Sequence, residues 1–227
     1  MKVSSEFSKY AQSYDAYNII QERVAQKLLS LVKGKPEYIL DLGCGSGALV
    51  KKIGWRYKKF IGVDFAPKML EIHPKSNNIE CIYGNFNDNM LFETLLRYKF
   101  DYILSASALQ WATNIEETFK KIQMLDAPVA LAIFTANTFQ TLYKTASLEP
   151  LLPSCEYLKC LQKKYFDADF EIVTYRLDFE NVREMFRYIK RSGVSGSRNL
   201  LSYKEMKKLM NAYPYNYLEF EVAFITS

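Results

Sequence analysis

The chain is expected to fold as an α/β protein built on a mostly parallel, doubly wound sheet, and three observations lead there. Short apolar runs of strand length alternate with amphipathic stretches of helical period from about residue 37 to 135. A glycine-rich loop joins the first strand of that series to the segment after it, and the last apolar stretch, Leu218–Phe224, alternates strictly as an antiparallel strand does. The elements follow in order. Asp15 to Val32 places Ile19, Ile20, Val24, Leu28, Leu29 and Leu31 near helical spacing, and Gly34 and Pro36 end it. Strands are expected at Tyr38–Leu40, Phe60–Val63, Ile79–Tyr83, Tyr102–Leu104 and Val129–Phe134. Helices are expected between them at Ala48–Trp55, from Pro67, at Met90–Tyr98 and at Ile115–Met124, Pro67 suiting a first turn. Beyond Phe134 the pattern predicts helices near Thr138–Leu148 and up to Tyr165, a strand at Phe170–Phe179, helices at Val182–Arg191 and Tyr203–Asn211, and the closing strand. That tail is expected to add an antiparallel strand and a helical cover at the carboxyl edge of the sheet, where ligands of open α/β sheets bind.

A length of 227 residues suits one domain with a sizeable core. Residues 1–34 are expected as an N-terminal helical lid, 35–135 as the binding core, and 136–227 as a substrate-side helical insertion with the final strands. The N-terminus is polar and lacks the apolar core of a signal peptide, and no apolar run nears the roughly 20 residues of a membrane helix. Four cysteines at 44, 81, 155 and 160 form no CxxC pair. Reduced thiols, a cytoplasmic location, no membrane and no metal are the expectation. The net charge of +5 is unevenly placed. Residues 181–210 hold eight Lys/Arg against Glu184 and Glu205, and Lys51, Lys52, Arg56, Lys58 and Lys59 form a second cluster. Each reads either as a solvated face or as a surface for an acidic partner.

The segment Asp41-Leu42-Gly43-Cys44-Gly45-Ser46-Gly47 stands between the first strand and the next segment. Glycines at 43, 45 and 47 let the backbone turn sharply and approach a ligand closely. The spacing is GxGxG, not the GxGxxG of dinucleotide sites. Asp41 would repel a pyrophosphate and suits a cationic amine, and Asp64, at the end of the second strand, is placed to accept hydrogen bonds from ribose hydroxyls. This constellation resembles the class I S-adenosylmethionine-dependent methyltransferases over roughly residues 37–135. The resemblance implies a Rossmann-like, seven-stranded sheet with an antiparallel last strand, and S-adenosylmethionine as cofactor. It puts Asp41, Gly43, Cys44, Gly45 and Gly47 at the amino-acid part of the cofactor, Asp64 at its ribose, and Phe65 and Met69 beside the adenine. Gly84-Asn85-Phe86 falls where the family has Gly-Asp, and Asn85 keeps a carbonyl acceptor for the adenine amino group. The stretch after the fourth strand lacks the Asn/Asp-Pro-Pro-aromatic motif of enzymes that methylate Asn, Gln or adenine nitrogen, which argues against those substrates. The family's Arg-Pro-Gly-Gly turn is replaced by Gln123–Pro128.

The flanks resemble the malonyl-acyl-carrier-protein O-methyltransferases of biotin synthesis. The resemblance rests on Phe7–Asp15 with Gln21, on Ser105–Trp111 (with Ala106 in place of an Asn), on Met185–Val194, on Leu201–Lys204 and on Tyr217–Ile225. It implies cofactor contacts for Tyr14, Gln21, Phe86, Ser105 and Gln110. It also implies a carrier-protein partner, a carboxylate nucleophile and no nucleic acid. Such a carboxylate is already ionised near neutral pH and needs no base. The only histidine, His73, is expected at the surface away from the site. An ionised substrate does need a cationic clamp: Lys190 and Arg198 are the candidates, with Tyr14 and Trp111 as pocket walls. Alternatives are methylation of a free small acid of the trans-aconitate type, a nucleic-acid methyltransferase, and a non-catalytic binding subunit that keeps the fold.

Overall fold

The computed structural model describes residues 18–192 and 202–227. The order is α1 (Ile19–Leu31), β1 (Tyr38–Leu42), β2 (Lys59–Asp64), α2 (Pro67–Ile72), β3 (Ile79–Tyr83), α3 (Asn89–Leu95) and β4 (Tyr102–Ala106). It continues through a 3₁₀ turn at Leu109–Trp111, α4 (Ile115–Gln123), β5 (Val129–Phe134), α5 (Gln140–Ala146), α6 (Cys155–Tyr165), β6 (Asp169–Asp178), α7 (Val182–Ser192), α8 (Tyr203–Ala212) and β7 (Tyr217–Thr226). The strands form one seven-stranded sheet in the order β3-β2-β1-β4-β5-β7-β6. The first five pair in parallel, and β7 runs antiparallel to both β5 and β6, so one strand alone is reversed.

Side-chain alternation along the strands splits the interior in two. Ile39, Phe60, Tyr102, Leu104 and Phe134 face the layer that holds Ile20, Val24 and Leu28 of α1, with Met185 and Tyr188 of α7 and Tyr213 beyond α8. Leu40, Leu42, Ile61, Val63, Ile103 and Ile133 face the opposite layer, filled by Phe92 of α3, Phe119 and Ile122 of α4, and Leu158 and Leu161 of α6. β5 is buried along its whole length, as the centre of a sheet covered on both faces requires. Local signals agree with these placements: Asn114 Oδ1 accepts from Glu117 N at 3.1 Å to cap α4, and Ser202 with Glu205 forms a capping box on α8.

The predicted helix at Ala48–Trp55 does not form. Lys51 N donates to Gly47 O and Ile53 N to Leu49 O, but Lys52 N turns to Leu49 O, and the result is a run of turns. Val50, Ile53 and Gly54 are poor helix formers. The Trp55 indole N–H donates to Pro36 O at 3.0 Å and draws the chain back toward the start of β1 before a helix could extend. The apolar spacing read as helical serves a compact loop with Leu49 and Val50 buried.

The basic cluster at 51–59 is a solvated face in large part. Lys52 pairs with Glu22, Lys58 with Glu37 at 2.6 Å and Lys59 with Glu80 at 2.7 Å. Among the described residues no helix is long and apolar enough to cross a membrane. The core at the β5–β7 junction is tightly committed: Phe220 is fully buried, with ring centroids 4.9 Å from Phe139 and 6.2 Å from Phe134. Phe220→Ala is therefore expected to cost about 3–5 kcal/mol in urea unfolding. A loss below about 1 kcal/mol would mean this cluster is not a cooperative part of the core.

Candidate active site

Strand order reverses between β1 and β4, so their carboxyl ends diverge into a crevice. The glycine loop lines one side of it. Both Gly43 N and Cys44 N donate to Val63 O, at 2.8 and 3.0 Å, which ties the loop to the end of β2. Gly43 has φ 79°, and a Cβ placed there would lie 2.2 Å from the Cβ of Ala108, so only glycine lets the β1 and β4 loops touch. Gly47, at φ 86°, packs instead against Pro74, whose Cδ a Cβ would meet at 2.5 Å.

Asp64 Oδ2 accepts from Gly45 N at 2.9 Å and Oδ1 from Ala66 N at 2.8 Å. The carboxylate thus holds the glycine loop against the start of α2 while it borders the cavity. Burial pushes its carboxyl above the usual range, against the opposing pull of amide N–H groups from Ala66, Gly45 and Phe65. Asp41 is 1% exposed, and neither of its oxygens has a hydrogen-bond partner among the described residues. Burial, with the Asp64 charge added, holds its carboxyl well above the usual range. Burial and the two carboxylates likewise push the Cys44 thiol up, which keeps it a neutral thiol.

The crevice forms a cavity whose mouth is open to solvent, walled by α1, the glycine loop, the end of β2 and the segment after β4. Of the residues predicted from sequence, it brings together Gln21, Asp41, Gly43, Cys44, Gly45, Asp64, Phe65, Met69, Phe86 and Trp111. Four others stand elsewhere. Gly47 packs under the loop. The Ser105 hydroxyl donates to Leu42 O at 2.6 Å and is fully buried, so it joins β4 to β1 and does not face the cavity. Gln110 Nε2 donates to Ser107 O at 2.7 Å, bracing the loop after β4 from behind, and its Oε1 is buried without a partner among the described residues. Asn85 lines a neighbouring cavity that shares Phe65 with the first, and its carbonyl oxygen, expected to receive the adenine amino group, accepts from Asn87 N and Nδ2 instead. Tyr14 and Arg198 lie outside the described residues, as does the first half of the expected lid at 1–34, up to residue 17, and for Lys190 only the helix α7 that carries it is described.

His73 is not at the surface. It is 2% exposed, stacks obliquely on Phe60 with centroids 6.1 Å apart, and its Nδ1 lies 2.9 Å from Pro74 O. It is wedged under the glycine loop against Gly47, where burial lowers its pKa. The β-extended backbone at His73 turns the chain inward after α2, which the local Ile-His-Pro sequence does not announce. Lining residues that the sequence did not single out include Asn18 and Ala25 on the α1 side, Ala48 and Leu49 after the glycine loop, Ala106 at the end of β4, and Ser107 and Ala108 after it. Ser107 is held at φ 60° with its hydroxyl buried and unpartnered among the described residues. The run of small residues at a strand end was the available signal for it. No described residue of 136–227 lines the cavity, and no cluster of three or more metal-ligating side chains occurs among the described residues.

Residues 39–128 match the family described as "Methyltransferase domain". A malonyl-[acyl-carrier protein] O-methyltransferase of Ilyobacter polytropus is 30% identical over 224 residues, covering 89% of this chain and 80% of that one. A second from the same organism is 28% identical over 202 residues, covering 83% and 75%. Among solved structures, a SAM-dependent methyltransferase of Thermotoga maritima superposes with a TM-score of 0.56 at 13% identity, covering 98% and 99%. The chain belongs to the class I S-adenosylmethionine-dependent methyltransferases, on the O-methyltransferase side of that family.

An acid whose native pKa is raised is neutral where the unfolded chain has already ionised, so stability falls as pH rises. The cofactor-free protein is expected to lose stability from about pH 4, the ordinary carboxylate value, up through the raised native values of Asp41 and Asp64. Asp41→Asn should remove the larger part of that slope in urea unfolding at stepped pH. An unchanged slope would mean Asp41 is ionised at no cost.

Proposed function

We propose that this chain methylates the free carboxylate of a malonyl thioester on acyl-carrier protein, using S-adenosylmethionine. The observation that carries the cofactor half is Asp41, a buried carboxylate at the cavity wall with no protein partner among the described residues. An ionised carboxylate so placed calls for a cation, and the amino-acid part of S-adenosylmethionine carries an ammonium. Bound there, the cofactor supplies a methyl group on a positively charged sulfur.

The protein's part is to bind and orient. Asp41 accepts the ammonium, Gly43 and Gly45 bring backbone close to it, and Asp64 has room to accept from ribose hydroxyls beside its bonds to Gly45 N and Ala66 N. Met69 and Phe65 flank the base. Gln21 from α1 and Trp111 after β4 wall the cavity and exclude water from the transfer path.

The substrate half is supported by the relatives' names and by the chemistry of the lining. Asp41, Cys44 and Asp64 are the titratable side chains among the described residues of the cavity; on this reading the two carboxylates face the cofactor, and burial keeps the Cys44 thiol neutral. A nucleophile that arrives ionised, such as a malonyl carboxylate, needs no proton removed. Lys190 and Arg198 are proposed to clamp that carboxylate, and Tyr14 to close the wall. The carrier protein is acidic, and Arg183, Lys207 and Lys208 are exposed cations on or beside α7 and α8 that suit it. Arg187 is partly neutralised by Glu184 at 2.5 Å. Biotin synthesis and a cytoplasmic setting follow from this reading.

Methyl transfer to malonyl-carrier protein, assayed beside free malonate and trans-aconitate, decides the substrate; turnover of the free acids alone would replace this reading with the small-acid one. Asp41→Asn is expected to weaken S-adenosylhomocysteine binding about 10- to 100-fold by calorimetry. Lys190→Ala and Arg198→Ala should raise the substrate KM and leave cofactor Kd unchanged, and turnover of the carrier-bound substrate should fall as salt rises. Kinetics untouched by both exchanges would remove these residues from the site.

A further inference from the structure

The loop after β3 runs Gly84-Asn85-Phe86-Asn87-Asp88, and main-chain donors orient its amides. Asn87 N donates to Asn85 Oδ1 at 3.0 Å. A main-chain N–H cannot accept, so that end of the Asn85 amide is the carbonyl oxygen. Thr113 N donates to Asn87 Oδ1 at 2.8 Å. The other end of the Asn87 side chain is therefore its NH₂ group, and it donates to the same Asn85 Oδ1 at 2.9 Å. Lys121, only 8% exposed, donates from α4 to Asn87 O at 3.1 Å and fixes the loop from below.

Two donors thus fill the two lone pairs of Asn85 Oδ1, while Asn85 Nδ2 makes no hydrogen bond among the described residues. Asn85 lines the cavity that adjoins the main one at Phe65. The group it has left to offer there is a donor.

We propose that Asn85 reads the base of the cofactor as a hydrogen-bond donor, through Nδ2 to a ring nitrogen of the purine. This reverses the acceptor role expected from sequence, and it rests on the reading of the main cavity as the cofactor site with the base passing Phe65. Asn85→Asp tests it with little change of shape. A carboxylate oxygen still accepts both bonds from Asn87, so the loop keeps its fold. The second oxygen then puts a lone pair where the ring nitrogen also has one.

The measurement is calorimetric binding of S-adenosylhomocysteine to the unaltered protein and to Asn85→Asp, with Tm as a fold control. The variant is expected to bind about tenfold weaker, the loss of a hydrogen bond in a site built for it. On the unaltered protein, one of the 1-, 3- or 7-deaza analogues should bind about tenfold weaker, and the analogue without the 6-amino group within about twofold of the parent. Equal or tighter binding by a folded Asn85→Asp overturns the proposal, as does loss confined to the analogue without the 6-amino group. If the variant does not fold, the analogue series on the unaltered protein decides alone. No binding of S-adenosylhomocysteine by the unaltered protein overturns the cofactor reading and this proposal together.

Discussion

The organisation of the site turns on a buried carboxylate that is left unpaired among the described residues. Asp41 sits at the end of β1 with 1% of its surface exposed and no hydrogen bond to either oxygen among the described residues. Such a group is costly in an interior, and its proton affinity rises accordingly. Among the described residues nothing relieves it. Register places Asp41 beside Gly62 on β2 and Leu104 on β4, neither of which can donate from a side chain. The carboxylate nearby, Asp64, adds repulsion. A cation beside Asp41 would offset both the burial and the repulsion.

Asp64 shows how the same residue type is spent differently on the neighbouring strand. Its two oxygens take main-chain N–H groups from Gly45 and Ala66, so it binds the glycine loop to the start of α2 and keeps lone pairs for a ligand. The loop's shape then depends on backbone approach: Gly43 against Ala108, and Gly47 against Pro74 and His73. His73, buried beneath the loop, is a packing residue in this arrangement. The loop after β3 is set by the same logic, main-chain donors from Asn87 and Thr113 deciding which end of each amide faces outward.

Much of the architecture was legible beforehand. β3 and β5 have the limits their apolar runs predict, and the reversed final strand follows from the alternation of Leu218–Phe224. The failure at Ala48–Trp55 is informative because its pattern was real. Buried Leu49 and Val50 satisfy an apolar spacing whether the backbone is helical or a chain of turns, and the Trp55 bond to Pro36 O, made to a residue distant in sequence, selects the turns. Ser105 and Asn85 went astray for a related reason. Both carry polar groups at strand ends that face the crevice in a one-dimensional reading, yet each finds a protein partner first.

The sequence by itself determined the layered sheet, the glycine loop and the pair Asp41 and Asp64, because strand periodicity and glycine spacing are local properties that neighbours along the chain express. Only the tertiary structure decided which polar groups remain free. That Asp41 is unpaired and Asn85 has a donor left over among the described residues, that Ser105 is occupied by Leu42 O and that His73 lies under the loop all depend on which groups other strands, helices and loops bring near. Hydrogen-bond satisfaction is a count over three-dimensional neighbours, and no spacing along the chain records it.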